Sequence, residues 1–275
     1  MAAAPVRPAG AEPQGVTPVK VLAGGAEFAV YRCAGAAPPG APELVWAHGW
    51  GHSHAALAPL AEAMRSRADS WLVDFPGFGA SPVPPAAWGT ADYADAAAAW
   101  LAGLPPYRRV WVGHSFGCRV GLQLAARHPQ AVAALLLIAA AGLPPHRSLA
   151  ERARRLPRRL AFKALRTLTA EGPARERLRE RYGSRDYREA GAMRPVLVKA
   201  VNEDLSEAAR AVRCPTVLVH GGDERESPPE IAARLQALIP GAQLHLLRGF
   251  DHWTILGDGR HQVTHLLGRL LESLR

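Results

Sequence analysis

Three segments of the sequence carry the residue types of nucleophilic catalysis. Residues 113–117 read G-H-S-F-G and place Ser115 between two glycines, Asp223 and Glu224 form an acidic pair, and His252 follows closer to the carboxyl terminus. A serine hydroxyl is a weak nucleophile by itself, but an imidazole with a pKa of about 6.5 can accept its proton at neutral pH. A carboxylate can then hold the ring in the required tautomer. Residues of these types can form a nucleophile, a general base and an orienting acid, with Ser115, His252 and either Asp223 or Glu224 as candidates.

The surroundings of Ser115 indicate more than the motif does. The apolar run 109–112 precedes it, and the helical pattern 116–127 follows it. Glycines on either side of a serine permit a tight turn from strand to helix, which raises the hydroxyl above the sheet, and a helix N-terminus favours negative charge. The sequence therefore predicts that Ser115 lies at such a turn.

The elements around these residues alternate between strand and helix, which predicts an α/β fold. The predicted strands are 19–22, 27–32, 43–47, 71–75, 109–112, 132–138, 216–220 and 243–247. The predicted helices are 55–66, 91–104, 116–127, 229–238 and 260–274. The last six strands are largely apolar, as expected of buried parallel strands. We therefore expect a mostly parallel central sheet flanked by helices.

Residues 143–213 interrupt this alternation with short, Arg-rich helical pieces separated by prolines. We interpret them as a helical cap inserted between the two parts of one core domain, residues 19–142 and 214–275, because the chain is near the size of about 250–300 residues at which a single core stops growing. Residues 1–18 are rich in Ala, Pro and Gly and have no basic start or continuous apolar stretch. They predict a disordered tail and not a signal peptide.

The composition argues against several kinds of site. The three cysteines, Cys33, Cys118 and Cys214, are odd in number and have no C-x-x-C spacing, which favours neither a disulfide framework nor a zinc site. No apolar run reaches the ~20 residues that span a bilayer. We therefore expect no metal, no cofactor and no membrane span, and a reducing, cytoplasmic location.

Further segments give the chain a resemblance to the α/β-hydrolase superfamily, in particular to its cap-bearing serine esterases. Residues 48–51 read H-G-W-G after one predicted strand, and residues 74–81 read D-F-P-G-F-G-A-S after the next. The nucleophile, the acid and the histidine also occur in the family's chain order. The resemblance implies an α/β-hydrolase fold and an oxyanion hole formed by the backbone N–H groups of Trp50 and Phe116.

The resemblance also bears on which acidic residue belongs to the triad. The family's spacing from Gly221 and to Pro228 places the acid at Glu224, where most relatives have aspartate. Asp223 remains an alternative, since adjacent side chains point in different directions. Cys118 stands where many relatives have a second glycine, and we expect its side chain only to pack.

A serine nucleophile in this family implies hydrolysis of carboxylic esters or related acyl bonds through an acyl-enzyme, with a small-molecule ester or acyl substrate. It argues against dehalogenases and epoxide hydrolases, which use a carboxylate nucleophile. An acyltransferase or a C–C bond hydrolase would use the same triad. A ligand-binding or receptor protein with little turnover is a competing interpretation of another class, to which the glutamate in place of aspartate gives some support.

The charge of the chain is concentrated in one segment. Residues 147–194 contain fifteen basic and six acidic residues, which accounts for the whole formal net charge of +9. Such a patch raises the local concentration of acidic partners, although exposed arginines are also common on solvated helices. Together with the Trp50 loop it resembles bacterial esterases that cleave a pimeloyl ester bound to an acidic carrier protein, so such a carrier is a candidate partner of the cap. No aromatic interleaving or known binding module accompanies the arginines, so nucleic-acid binding is not expected.

Overall fold

The computed structural model describes residues 18–144, 157 and 185–274. Its strands are β1 (Val19–Ala23), β2 (Ala26–Cys33), β3 (Glu43–Ala47), β4 (Ser70–Asp74), β5 (Arg109–His114), β6 (Ala134–Ile138), β7 (Thr216–Gly221) and β8 (Gln243–Leu247). Its helices are α1 (Ala58–Ala63), α2 (Thr90–Ala102), α3 (Phe116–Arg127), α4 (Arg185–Glu189), α5 (Arg194–Asn202), α6 (Ser206–Ala211), α7 (Pro229–Leu238) and α8 (Arg260–Ser273). All eight predicted strands are present, with each boundary within two residues of its predicted position.

The strands form one sheet in the order β1-β2-β4-β3-β5-β6-β7-β8. β1 pairs with β2 and β2 with β4 in antiparallel fashion, and every later pairing is parallel. The prediction of a mostly parallel sheet is therefore confirmed. In an open sheet of this kind, ligands bind at the carboxyl ends of the parallel strands, and the loops that carry the candidate site residues all begin there.

Apolar side chains cover both faces of the sheet. One buried cluster joins Trp111 to side chains of α2 and α3, and the other joins Trp46 to side chains of α1 and α8. Both indole N–H groups are satisfied, since Trp46 donates to Ser70 Oγ at 2.9 Å and Trp111 donates to the Gly117 carbonyl at 2.9 Å. The second bond fixes the start of α3 against β5, directly beneath Ser115.

The prediction that the last six strands are buried is wrong for β8. This strand lies at the edge of the sheet, and its side chains are exposed or only partly buried, with Leu246 52% exposed. An edge strand has a neighbour on one side only, and a run of leucines does not reveal that position. The five strands β3 to β7 are buried along most or all of their length.

The segment predicted to form a cap lies between β6 and β7. Residues 145–156 and 158–184 of it, and residues 1–17 of the predicted tail, are outside the described residues. The described part contains α4, α5 and α6, and it is bonded to the core: Glu203 accepts from the backbone N–H of Thr90 at 3.0 Å, and Arg119 donates to the Ala200 carbonyl at 3.0 Å. This part of the segment is therefore anchored on α2 and α3.

None of the helices in residues 18–144 and 185–274 has the length and apolar character needed to cross a membrane.

Candidate active site

Ser115 lies at a sharp turn between β5 and α3. Its backbone has φ 49° and ψ −102°, and residues other than glycine rarely adopt a positive φ. The turn depends on its flanking glycines, because a methyl group at Gly113 would lie 2.6 Å from backbone atoms of Gly117, and one at Gly117 would overlap the Ala47 carbonyl. The predicted strand-to-helix turn is therefore present, with the serine side chain raised above the end of β5.

The predicted acid and base meet at the same edge of the sheet. His252 Nδ1 lies 2.6 Å from Glu224 Oε2, and both residues are buried. The other carboxylate oxygen, Oε1, accepts from the backbone N–H groups of Glu226 at 2.7 Å and Ser227 at 3.1 Å. Asp223, the alternative acid, is exposed, and its backbone N–H donates to the Phe250 carbonyl at 3.0 Å. The geometry therefore brings Glu224, and not Asp223, to the imidazole.

These contacts keep Glu224 ionised despite its burial. Burial raises the pKa of the carboxyl group, but the hydrogen bond from His252 and the two backbone N–H groups outweigh it, so the pKa lies below its ordinary value. The ionised carboxylate accepts a hydrogen bond from the Nδ1–H group, which leaves the Nε2 atom of His252 free of a proton and able to accept one.

The Nε2 atom of His252 faces a second carboxylate. Oε2 of Glu226 lies 3.4 Å from it, and no hydrogen bond joins Nε2 to Ser115 Oγ within the described part of the chain. His114, adjacent to Ser115 in the chain, has its ring centroid 4.7 Å from that of His252 and its Nε2 3.1 Å from the His252 carbonyl, so β5 and the loop of His252 meet beside the serine turn. The sequence did not predict the position of Glu226, because only the folded loop brings it to the imidazole.

The loop after β3 lies against the serine. A methyl group at Gly49 would be 3.4 Å from the Ser115 Cβ, an ordinary contact, but only 2.7 Å from His114 Nδ1, so a larger residue would force the His114 ring to shift. The backbone N–H groups of Trp50 and Phe116, the predicted oxyanion donors, have no hydrogen-bond partner among the described residues. The Trp50 ring packs edge-on against Phe78 and Phe116, with centroids 4.8 Å and 5.6 Å away. Two unpaired donors, one on the loop after β3 and one at the start of α3, are suited to hold a negatively charged oxygen.

His48 holds this loop in place, a role that sequence reasoning missed. Its Nδ1 lies 2.7 Å from the Gly49 carbonyl, which can only accept, and its Nε2 accepts from the Phe75 N–H at 3.2 Å. The ring is therefore neutral with its proton on Nδ1, and burial lowers the pKa of His48 to about 4. In a trans peptide the C=O and N–H groups point in opposite directions, so the bond to Gly49 directs the Trp50 N–H away from His48.

Asp74 connects the same loop to the turn after β4. Its fully buried carboxylate accepts from the His54 backbone N–H at 2.6 Å, from the Ala80 N–H at 2.9 Å and from the Tyr31 hydroxyl at 3.1 Å, and it contacts His54 Nδ1 at 3.0 Å. Burial raises the pKa of Asp74, but these hydrogen bonds lower it by a larger amount, so the pKa lies below its ordinary value and the group is ionised at neutral pH. The motif at 74–81 supported the fold, but it did not predict the hydrogen bonds between Asp74 and His54.

A cavity of about 350 Å³ opens beside the loop after β3, which carries Trp50. It is lined by Trp50 and Phe78 on the core side and by Asp186, Glu189 and Met193 of the segment between β6 and β7. Ser115 is not among its lining residues, and Trp50 connects the cavity to the predicted oxyanion donors.

Residues 18–144 and 185–274 contain no cluster of three or more His, Cys, Asp or Glu side chains that could hold a metal ion. The three cysteines are unpaired. Cys118 is buried and its Sγ contacts the carbonyls of Gly113 and Ile138, each at 3.2 Å, so its side chain packs beneath the serine turn.

Comparison with known proteins places this geometry in a family. Residues 44–265, which are most of the chain, match the model described as "Alpha/beta hydrolase family". The chain belongs to the alpha/beta hydrolase family. The family and fold predicted from the sequence are therefore confirmed, and the protein is a hydrolase of this family.

Other alpha/beta hydrolases are similar along most of the chain. A pimeloyl-[acyl-carrier protein] methyl ester esterase from Chromobacterium violaceum is 29% identical over 245 residues, which cover 83% of this chain and 94% of that protein. An esterase from Exiguobacterium antarcticum has a TM-score of 0.71 at 16% identity, with 93% and 99% of the two chains covered. A meta-cleavage product hydrolase from Pseudomonas fluorescens has a TM-score of 0.68 at 20% identity, with 94% and 99% covered. The two structures share the fold of this alpha/beta hydrolase.

Proposed function

We propose that this alpha/beta hydrolase cleaves carboxylic esters through an acyl-enzyme, with Ser115 as nucleophile, His252 as general base and Glu224 as the acid of the triad. The observation that carries the proposal is the 2.6 Å contact between His252 Nδ1 and Glu224 Oε2, at the same sheet edge as the strained turn of Ser115. The similarity to a methyl ester esterase supports the choice of ester substrates.

The reaction begins with attack of Ser115 Oγ on the ester carbonyl carbon, while His252 Nε2 accepts the hydroxyl proton. Glu224 stabilises the imidazolium that forms. The negative charge on the carbonyl oxygen is held by the backbone N–H groups of Trp50 and Phe116, each of which contributes roughly 3–4 kcal/mol to stabilisation of the transition state.

The intermediate then collapses to the acyl-enzyme. The C–O bond to the alcohol breaks, and His252 Nε2 donates its proton to the leaving oxygen. A water molecule next attacks the acyl carbonyl, with His252 again accepting a proton. The bond between the acyl carbon and Ser115 Oγ then breaks, and His252 Nε2 returns its proton to Oγ. The carboxylic acid leaves, so the cycle needs only ester and water.

Labelling with a fluorophosphonate, combined with hydrolysis of p-nitrophenyl butyrate, tests this assignment. We expect Ser115→Ala to abolish labelling and turnover, and Glu224→Gln to lower kcat by about 10³–10⁴-fold, because an amide cannot hold the ring in the required tautomer. Asp223→Asn is the matched control, and we expect it to retain wild-type turnover. A folded wild-type protein that is neither labelled nor active on esters would favour a ligand-binding protein in place of an enzyme.

We further propose that residues 143–213 form a cap over this site and that the cap binds an acidic acyl carrier protein. The basic excess of residues 147–194 and the similarity to an esterase whose name includes an acyl-carrier protein support this partner. We also propose a cytoplasmic location, which the three unpaired cysteines favour.

Binding to an acidic carrier should weaken with salt, since the attraction is between exposed charges. A pull-down with acyl carrier protein at low and at moderate ionic strength measures this. We expect retention at low salt that falls as salt rises. Absence of binding under both conditions would remove the carrier from the proposal and leave small-molecule esters as substrates.

A further inference from the structure

Glu226 is a second carboxylate beside the imidazole of His252, on the opposite side of the ring from Glu224. Its Oε2 lies 3.4 Å from His252 Nε2, and its Oε1 accepts from the Trp253 indole N–H at 3.2 Å. The indole ring also packs against His252, with centroids 4.8 Å apart. Each oxygen of the Glu226 carboxylate therefore has a contact that holds it in position, although the side chain is 55% exposed.

This position lies on the route of the leaving group. In the proposed mechanism Nε2 gives its proton to the leaving oxygen, which must then come within about 3 Å of that atom. Since Glu226 Oε2 is 3.4 Å from the same atom, the leaving oxygen and this carboxylate can be no farther apart than about 6.5 Å. Substituents on the alcohol are therefore close to Glu226.

Among the described residues, no arginine or lysine forms an ion pair with Glu226. Its partners within residues 18–144 and 185–274 are an indole N–H and an imidazole, whereas Glu189, which lines the nearby cavity, is paired with Arg185 at 2.8 Å. A unit charge about 5 Å away in a medium of dielectric constant about 40–80 changes a rate by roughly fourfold to fifteenfold. The charge of the alcohol should therefore affect its release.

We propose that Glu226 selects substrates by the charge of the alcohol, favouring esters with a cationic or neutral leaving group over those with an anionic one. The proposal rests on the proposed function, because it uses the proton that His252 gives to the leaving group. It concerns the alcohol side of the ester and is independent of the acyl group.

Three butyrate esters of similar shape test the proposal. Their alcohols are choline, 3,3-dimethylbutanol and 2-hydroxyethanesulfonate, whose tetrahedral head groups carry a positive charge, no charge and a negative charge. For each protein, kcat/KM of the two charged esters is divided by that of the neutral ester. In the wild type we expect the choline ester to exceed the sulfonate ester by about tenfold or more, as two unit-charge effects of this size combine.

Glu226→Gln removes the charge and keeps an oxygen that can accept from Trp253. We expect this variant to lower the ratio of choline ester to sulfonate ester by about tenfold. Glu230→Gln is the matched control: it removes an equal charge from an exposed residue of α7 outside the proposed site, and we expect the wild-type ratio.

An unchanged ratio in Glu226→Gln, with the neutral ester still hydrolysed, would overturn the selectivity proposal and leave the proposed function intact. Equal loss of the ratio in both variants would also overturn it, because the effect would then come from net charge alone. If the folded wild type hydrolyses none of the three esters, the proposed function itself fails, and the selectivity proposal fails with it.

Discussion

At the scale of single residues, the protonation state of the buried His48 ring determines how the peptide between Gly49 and Trp50 is oriented. Its two ring nitrogens have different tasks, since Nδ1 donates to the Gly49 carbonyl and Nε2 accepts from the Phe75 N–H. Only the neutral ring can do both. The proposed oxyanion donor, the N–H of Trp50, is therefore oriented by a side chain that need not touch the substrate.

Two substitutions separate the tasks of His48. Asn places its amide near the position of Nδ1 and can still donate to Gly49, whereas Gln extends to the position of Nε2 and can only replace the bond from Phe75. We expect both variants to lose stability, but His48→Asn to keep kcat within about tenfold of wild type and His48→Gln to lose about 10²–10³-fold, the effect of one oxyanion donor.

The measurement is kcat and KM for p-nitrophenyl butyrate, with thermal melting to compare stability. KM should change little in either variant, because the oxyanion donor acts on the transition state more than on the bound ester. Equal kcat values for the two variants would contradict a role through the Gly49 peptide and leave His48 with a purely structural role.

At the scale of elements, the turn between β5 and α3 is defined by close backbone contact. α3 begins so near to β3 that the Cα of Gly117 lies against the Ala47 carbonyl, and the Gly117 N–H donates to the His48 carbonyl at 3.1 Å. No side chain fits between these elements. The helix N-terminus is thereby directed at the proposed oxyanion position, where its partial positive charge is useful.

Substituting Gly117 tests the tightness of this contact. We expect Gly117→Ala to lower the free energy of unfolding by at least about 2 kcal/mol, because backbone must shift to admit the methyl group. Gly257→Ala is the control, since a methyl group there meets no atom within 4 Å and we expect a change within about 0.5 kcal/mol. Urea denaturation measures both, and similar losses in the two variants would show that the contact is looser than described.

The elements also show where sequence reasoning was sufficient. The periodicity of strands such as β3 and the flanking glycines of Ser115 report local conformation, so they predicted the sheet and the serine turn. The resemblance to the α/β-hydrolase family, through its spacing around Glu224, predicted the acid that contacts His252. The position of Glu226 could not be predicted. The direction of each side chain in this loop depends on the folded backbone, which the sequence pattern does not reveal. The exposure of β8 depends on its place in the sheet.

At the scale of the whole molecule, three histidines are buried in neutral form. Burial lowers the pKa of His48 to about 4, of His114 well below its ordinary value, and of His220 to a smaller extent. In the unfolded chain the same groups take up protons at about pH 6.5. The unfolded state therefore binds more protons below that pH, and the folded state loses stability as the pH falls.

We expect the free energy of unfolding to decrease as the pH falls from about 6.5 towards 4, with His48 alone contributing ~3 kcal/mol across this range. Urea denaturation at a series of pH values measures the slope. His48→Asn should make the curve shallower, because it removes one group that the unfolded chain protonates. An identical slope in the variant and the wild type would contradict the assignment of His48 as a buried neutral group.

The carboxylate of Asp74 has a consequence for how this enzyme could acquire new substrates. Because one side chain ties the loop after β3 to the turn after β4, a substitution in either segment disturbs the other, and the wall of the cavity that contains Trp50 and Phe78 has little freedom to vary. The facing wall, with Asp186, Glu189 and Met193, belongs to the segment between β6 and β7, which the described hydrogen bonds of Asp74 do not reach. Directed evolution towards different substrates should therefore accumulate its successful changes on that side.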